Sequence, residues 1–293
     1  MIKIRNMSVT YGNKKVLSIN DEIEIKDKER IGIIGSNGAG KTTLVNAILG
    51  LAPYKGIIET DITHNKIAVH MQFNNYTNNM KIRHIIEMIC NTKIEKDKKL
   101  QELIEFFEFK ESVNKRFQNL SGGQKQRLTL ILVMYQEVPL VFFDEVTTGL
   151  DFVTREKLIN KIEKWYKGKD TTICMISHYY DELENLVDKL LILEKGEVVA
   201  FDYTEELFKK FCGENLIILE NNEKNRNITE GFNKILSPEN SIALSSKGKD
   251  EELIIVNKLI KNNVDFKRTN KDIELISINA KAKYFERETY YEF

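Results

Sequence analysis

At 293 residues the chain is long for one domain and short for three, so a large domain with a smaller companion is expected. Apolar residues, at 42%, are enough for a real core, and Lys+Arg match Asp+Glu at 44 each, which excludes whole-molecule steering toward nucleic acid or an acidic surface. Cys90, Cys174 and Cys212 are odd in number and far apart, offering neither a disulfide framework nor metal-ligand spacing, as suits a reducing compartment.

The first residues alternate as a strand does and contain no apolar leader, and no apolar run approaches the roughly 18–20 residues needed to cross a bilayer. Residues 1–30 keep that alternation (Ile2, Ile4, Val16, Ile19, Ile23, Ile25), broken by turn signals at Tyr11-Gly12-Asn13 and Lys26-Asp27-Lys28. Residues 30–34 predict a buried strand that runs straight into Gly35-Ser36-Asn37-Gly38-Ala39-Gly40-Lys41-Thr42. Residues 43–49, starting at Thr43, then predict a helix closed by Gly50. The strand pattern returns over 54–71.

From 82 to 118 the period becomes helical, with Leu100, Leu103, Ile104 and Phe107 on one face. Another helix follows Ser121. Residues 140–143 predict a buried strand, 155–166 a helix, 171–176 a strand, 181–186 a helix, and 189–194 with 197–201 a strand pair. Continuous apolar strands alternating with helices predict an α/β fold whose sheet is covered on both faces. After Gly213 the character changes. Strands are expected at 216–219, 242–244 and 273–278 and helices at 229–236 and 251–260, making a small appended α/β unit. The expected division is 1–212 and 213–293.

Three motifs carry chemistry. The glycines of residues 35–42 let successive backbone N–H groups turn inward around phosphates at a helix N-terminus. Lys41 can then reach the terminal phosphates and the Thr42 hydroxyl can ligate a divalent cation. Residues 140–143 deliver Asp144 and Glu145 to the end of a buried strand, where parallel sheets bind ligands. Asp144 suits a Mg²⁺ shell, and Glu145 suits orienting and polarising an attacking water. Leu120-Ser121-Gly122-Gly123-Gln124 offers a second anion cradle, a hydroxyl and glycine amides opening a helix.

That pentapeptide resembles the signature of the ABC (ATP-binding cassette) ATPases, and the remaining family elements occur in the family's order. Tyr11 resembles the aromatic residue that stacks on adenine. Gln72, after the strand ending at 71, is similar to the glutamine that senses Mg²⁺ and water. Asp151, in Thr148-Gly149-Leu150-Asp151, resembles the loop residue that communicates across a dimer, and His178 resembles the switch histidine of the γ-phosphate.

The resemblance covers residues 1–210. It implies a P-loop (RecA-like) core with an antiparallel β subdomain and an α-helical signature subdomain. ATP and Mg²⁺ are the implied cofactors. Residues 35–43 with Tyr11 would bind nucleotide; Ser121, Gly122, Gly123 and Asp151 would serve a site shared with a second cassette. Thr42, Gln72 and Asp144 would hold the metal, and Glu145, His178 and Gln72 would act in hydrolysis. It further implies a partner permease on a separate chain and a place at the cytoplasmic face of a bacterial membrane. The pattern of Asn37-Gly38-Ala39-Gly40, the residues that follow the switch histidine and the C-terminal α/β appendage look most like subunits of bacterial exporters of drugs, antimicrobial peptides or lipid-linked molecules. No nucleic acid is expected among the partners. A soluble ABC ATPase acting on a cytosolic machine is the alternative.

Overall fold

The computed structural model describes residues 1–70 and 76–291, with side chains as far as Glu286. Ten strands form one curled sheet. Its antiparallel wing joins β1 (Ile2–Tyr11), β2 (Lys14–Ile19), β3 (Ile23–Ile25) and β5 (Lys55–Thr60). Its parallel heart runs β4 (Arg30–Gly35), β8 (Thr172–Ile176), β7 (Leu140–Asp144), β6 (Ile67–His70), with β9 (Lys189–Glu194) parallel on the other side of β4. β10 (Glu197–Tyr203) returns antiparallel on β9 and bridges to β2.

The two-residue period of a strand divides the heart into two apolar layers. Ile31 and Ile33, Leu140 and Phe142, Cys174 and Ile176, Leu191 and Leu193 face the wing and α1 (Lys41–Ile48). Their neighbours Ile34, Val141, Phe143, Ile173, Met175, Leu190 and Ile192 face the helical side. That side holds α2 (Ile82–Ile89), α3 (Lys98–Phe106), α4 (Gly122–Tyr135), α5 (Phe152–Tyr166) and α6 (Tyr180–Glu184). Phe142 and Phe143 are both fully buried, each contributing about 1.5–3 kcal/mol through burial. The expected apolar face of α3 is buried, Leu100, Leu103, Ile104 and Phe107 all at 3% exposure or less. Asp97 caps this helix, accepting from the Leu100 amide. Among the described residues no helix is long and apolar enough to cross a membrane.

After α7 (Thr204–Phe211), a second, four-stranded antiparallel sheet forms in the order β12 (Lys234–Ile235), β13 (Ser241–Ser246), β11 (Asn215–Glu220), β14 (Phe266–Thr269). One face packs Ile217, Leu219, Ile242 and Leu244 against Ile255 and Leu259 of α9 (Lys249–Lys261).

Two sequence expectations are corrected here. The helix expected at 229–236 lies six residues earlier, as α8 (Glu223–Ile228), because the Asn222 side chain caps it and Gly231 at φ 85 turns the chain out into β12. The strand expected at 273–278 is instead the start of α10 (Ile273–Tyr291). Ile-Glu-Leu alternates locally, but the buried positions are Ile273, Leu275, Ile276, Ser277 and Ala280, and 273, 276, 277 and 280 recur at helical spacing. Asp272 caps it, accepting from the Leu275 amide at 2.9 Å. α10 does not stay with its sheet: Ile273, Leu275, Ile276 and Ala280 join the same apolar cluster as Leu183, Leu190 and Phe208.

Candidate functional site

Four parallel strands end side by side. Register pairs Gly35 with Leu193, Ile33 with Ile176, Asp144 with Ile176, and His70 with Phe143, so the chain leaves β4, β7, β8 and β9 along one edge of the sheet. Residues 35–42, 144–145 and 177–178 and Glu194 therefore sit together although they are far apart in sequence.

The loop after β4 wraps the N-terminus of α1. Gly35 is required because a Cβ there would lie 2.2 Å from the Leu193 carbonyl oxygen. Gly40 has φ 101, and its Cβ would meet Leu17 at 3.0 Å. Ala39 is buried and closes a turn on Ser36, its amide donating to that carbonyl at 3.1 Å, while Asn37 and Gly38 are exposed. Lys41 is buried at the base of the loop, Nζ donating to the carbonyls of Gly35 at 2.8 Å and Ser36 at 3.0 Å. Burial lowers its pKa, with Glu145 and Asp144 opposing the shift. A buried ammonium at the base of such a loop suits an anionic ligand.

The Thr42 hydroxyl donates to the Asp144 carboxylate at 3.2 Å. Burial holds Asp144 above the usual carboxylate range, against that hydrogen bond. A desolvated carboxylate facing a hydroxyl is a hard oxygen pair, and it fits Mg²⁺, which takes one or two carboxylates with phosphate and water oxygens.

Next to it, Glu145 adopts φ 50, in the left-handed region. Its amide donates to Ile176 O at 3.0 Å, and its carboxylate lies 2.8 Å from His178 Nε2 and accepts from the Thr148 hydroxyl at 3.2 Å. Glu145 and His178, 33 positions apart, are thus in direct contact.

Other predicted residues stand apart from that cluster. Tyr11 is exposed at the end of β1, on the hairpin whose second strand packs Leu17 against Gly40. Ser121 caps α4 in a reciprocal box: its hydroxyl accepts from the Gln124 amide at 3.3 Å and its amide donates to Gln124 Oε1 at 3.0 Å. Ser121 and Gly122 are exposed, and among the described residues no hydrogen bond joins 121–123 to 35–43. Asp151 caps α5, accepting from the Thr154 amide and hydroxyl at 3.1 and 2.6 Å. Gln72 lies outside the described residues.

Sequence reasoning missed the support behind His178. Glu182 is 5% exposed and accepts from the Ser177 hydroxyl at 2.7 Å. That hydroxyl in turn accepts from the Tyr179 amide at 3.0 Å. Burial pushes the Glu182 carboxyl up, against hydrogen bonds from Thr147 and Ser177. The Arg155 guanidinium stacks on the Tyr179 ring at 3.7 Å and faces Glu182 at 3.5 Å. One buried carboxylate thus joins Thr147, two residues after Glu145, to Ser177, beside His178. The available signal was a Glu four residues after His178 at the start of a helix.

The family model for ABC transporters matches residues 19–148, a span that includes Lys41, Ser121 and Glu145. The chain is 30% identical to the methionine import ATP-binding protein MetN of Clostridioides difficile (strain 630), over 87% of this chain and 86% of that protein. It is 32% identical to the Nod factor export ATP-binding protein I of Rhizobium etli, over 72% of this chain and 71% of that one. This chain belongs to the family of ABC transporter ATP-binding subunits. Its members are ATPases that work with membrane permeases, and this subunit is an ATP-binding motor of that kind.

Solved cassettes show the same fold. One described as the ATP-binding subunit of an ABC transporter superposes with a TM-score of 0.65 at 21% identity, over 73% of this chain and 94% of that one. A dimeric cassette in a post-hydrolysis state with ADP and phosphate gives 0.62 at 23%, over 69% and 98%.

Proposed function

We propose that this ABC ATPase subunit hydrolyses ATP by in-line attack of water in a composite site, and that closing and opening that site drives a permease carried on a separate chain. The observation that carries this is the convergence of Lys41, the Thr42–Asp144 pair and the Glu145–His178 pair on one sheet edge. Lys41 and the loop amides bind and neutralise phosphate. Thr42 and Asp144 would hold Mg²⁺, which when bound neutralises charge on the phosphate oxygens. Glu145 orients and polarises the water, and His178 positions the Glu145 carboxylate and faces the γ-phosphate. Most of the acceleration is positioning and charge stabilisation. Tyr11 stacks on adenine, and Gln72 reports on metal and water.

Ser121 and Gly122 are exposed, and among the described residues no hydrogen bond joins 121–123 to their own phosphate loop, which supports a second cassette presenting them across a dimer with two nucleotides between. Asp151 then lies at that junction. Residues 213–293 form the appended unit, and the assembly sits at the cytoplasmic face of a bacterial membrane. No part of the cycle uses nucleic acid.

The direction we propose is export, supported by the Nod factor export relative and by a linearmycin resistance ATP-binding protein of Bacillus subtilis at 27% identity. One observation favours a second reading, import: the methionine import match spans 87% of this chain, more than residues 1–212 can supply. The test is recovery of tagged Glu145→Gln protein with MgATP from solubilised native membranes. A stoichiometric polytopic membrane protein is expected, and its nature gives the direction. Soluble partners alone would overturn the transport assignment while leaving the ATPase.

A further inference from the structure

The last helix reaches the phosphate loop. After packing Ile276 and Ala280 into the shared core, α10 brings Lys281 to Glu194 at 2.7 Å, a pair in which the side chains are 24% and 15% exposed. The same Glu194 carboxylate accepts from the hydroxyl of Ser36, the second residue of the phosphate loop. One turn further along α10, the Tyr284 hydroxyl donates to Glu197 at 2.9 Å, and Lys195 lies over the Phe285 ring at 4.6 Å. Three consecutive contacts therefore grip the turn between β9 and β10. That turn also touches the loop's far end: Gly196 O accepts from the Ser18 amide at 2.6 Å, and Gly196 Cα is 3.8 Å from where a Gly40 Cβ would lie.

We infer that Lys281, acting through Glu194 and Ser36, is a positioning residue for the phosphate loop, and so gives the C-terminal unit a direct part in ATP binding. This rests on the ATPase reading above. A carboxylate fixed against a phosphate-binding loop repels the ligand unless it is neutralised, and Lys281 supplies the neutralising charge. Burial works against ionisation of Glu194, yet Lys281 and Ser36 hold its carboxyl below the usual carboxylate range. With Lys281 in place the carboxylate fixes the Ser36 hydroxyl. Without it, the same carboxylate is an unpaired negative charge next to the triphosphate. Sequence reading could not place this, because Lys281 and Glu194 are 87 positions apart and residues 273–278, the start of the helix carrying Lys281, looked like a strand.

The experiment measures ATP binding and steady-state hydrolysis of the full-length protein at low and at physiological salt. The variants are Lys281→Ala, Lys281→Glu, Lys281→Arg and, on the exposed side of the same helix, Lys283→Ala. Lys281→Ala is expected to raise the ATP Kd and KM about threefold to tenfold and Lys281→Glu further, with kcat within twofold. Lys281→Arg and Lys283→Ala should stay near wild type. The loss should shrink as salt screens the charge, the Debye length being about 8 Å at 0.15 M. Unchanged ATP affinity in Lys281→Ala and Lys281→Glu overturns the inference, and so does a loss shared equally by Lys281→Arg, which would mean packing rather than charge. Lys41→Ala is the separate control: retained ATP binding there would sink the nucleotide-site reading itself, whatever Lys281 does.

Discussion

Glu145 joins backbone strain to the proposed chemistry, and the two can be separated by measurement. At φ 50 a residue with a Cβ carries a steric cost of about 1–2 kcal/mol. The conformation persists because its amide donates to Ile176 O and its carboxylate is engaged by His178 and Thr148. Glu145→Ala and Glu145→Gly both delete the carboxylate and the pair with His178, so they differ only in the backbone. Glycine relieves the strain but brings extra unfolded-state freedom costing about 0.5–1 kcal/mol. The balance makes the glycine variant more stable than the alanine variant by about 0.5–1 kcal/mol. In a chain of this size that is an increase in Tm of about 1–2 °C. The assay is thermal unfolding without nucleotide, since bound nucleotide adds stability by mass action. At an ordinary helix or strand position the order is reversed. An alanine variant melting at or above the glycine variant would therefore refute the strain argument. Both should lose hydrolysis by about 10²–10⁴-fold, the range for a positioned general base. Activity retained within tenfold would refute the role given to the carboxylate.

Three further outcomes follow from the same geometry. Burial raises the Asp144 pKa, so the nucleotide-free fold draws stability from the protonated carboxyl below its ordinary value of about 3.9 and loses it as pH rises through the folded value. Asp144→Asn should flatten that slope and melt above wild type at pH 7 without Mg²⁺, while MgATP hydrolysis falls; a lower Tm contradicts the argument. Ser121→Ala should cost about 1 kcal/mol through the lost cap and abolish the rise of specific activity with protein concentration. ATP binding by the isolated subunit should be unchanged, and a parallel loss of binding would place Ser121 in its own chain's site. Gly40→Ala places a Cβ against Leu17 at φ 101 and should weaken ATP binding at least tenfold in a folded protein; wild-type affinity would show that the loop tolerates the change.

How much of this was legible depended on whether the signal was local. The phosphate loop, the apolar strand ending in Asp144 and the Ser121 cap each declare themselves within eight residues, and the α/β alternation orders them. The two layers of the sheet follow from period-two strands. The contact between Glu145 and His178 was not readable, because it depends on Asp144 lying opposite Ile176 in the parallel register. Glu182 was invisible for the same reason: its burial comes from α6 folding back over the ends of β7 and β8. In the C-terminal region the reading weakened where short apolar runs fit both periods. Ile273-Glu-Leu alternates as a strand does, and the burial of Ile276, Ser277 and Ala280 at helical spacing decides for a helix.

The structure ties the proposed catalytic carboxylate to the helical segment within one chain. Ser121 and Gly122 open α4 facing outward, yet two residues of that helix's first turns already touch the loop that follows Glu145. Gln126 donates to Thr148 O at 2.8 Å, and a Cβ on Gly123 would lie 3.4 Å from Leu150. The Thr148 hydroxyl donates to Glu145. Arg127, one residue on, donates to the Phe107 carbonyl at 3.3 Å, which links α4 to the end of α3. A shift of α3 and α4 relative to the sheet edge must therefore break the bond to Thr148 or carry that loop with it. Either event bears on a residue held in a strained conformation, where a small change of partner has a large effect on the carboxylate's aim. The same strain that makes Glu145 costly makes its position responsive to α3 and α4.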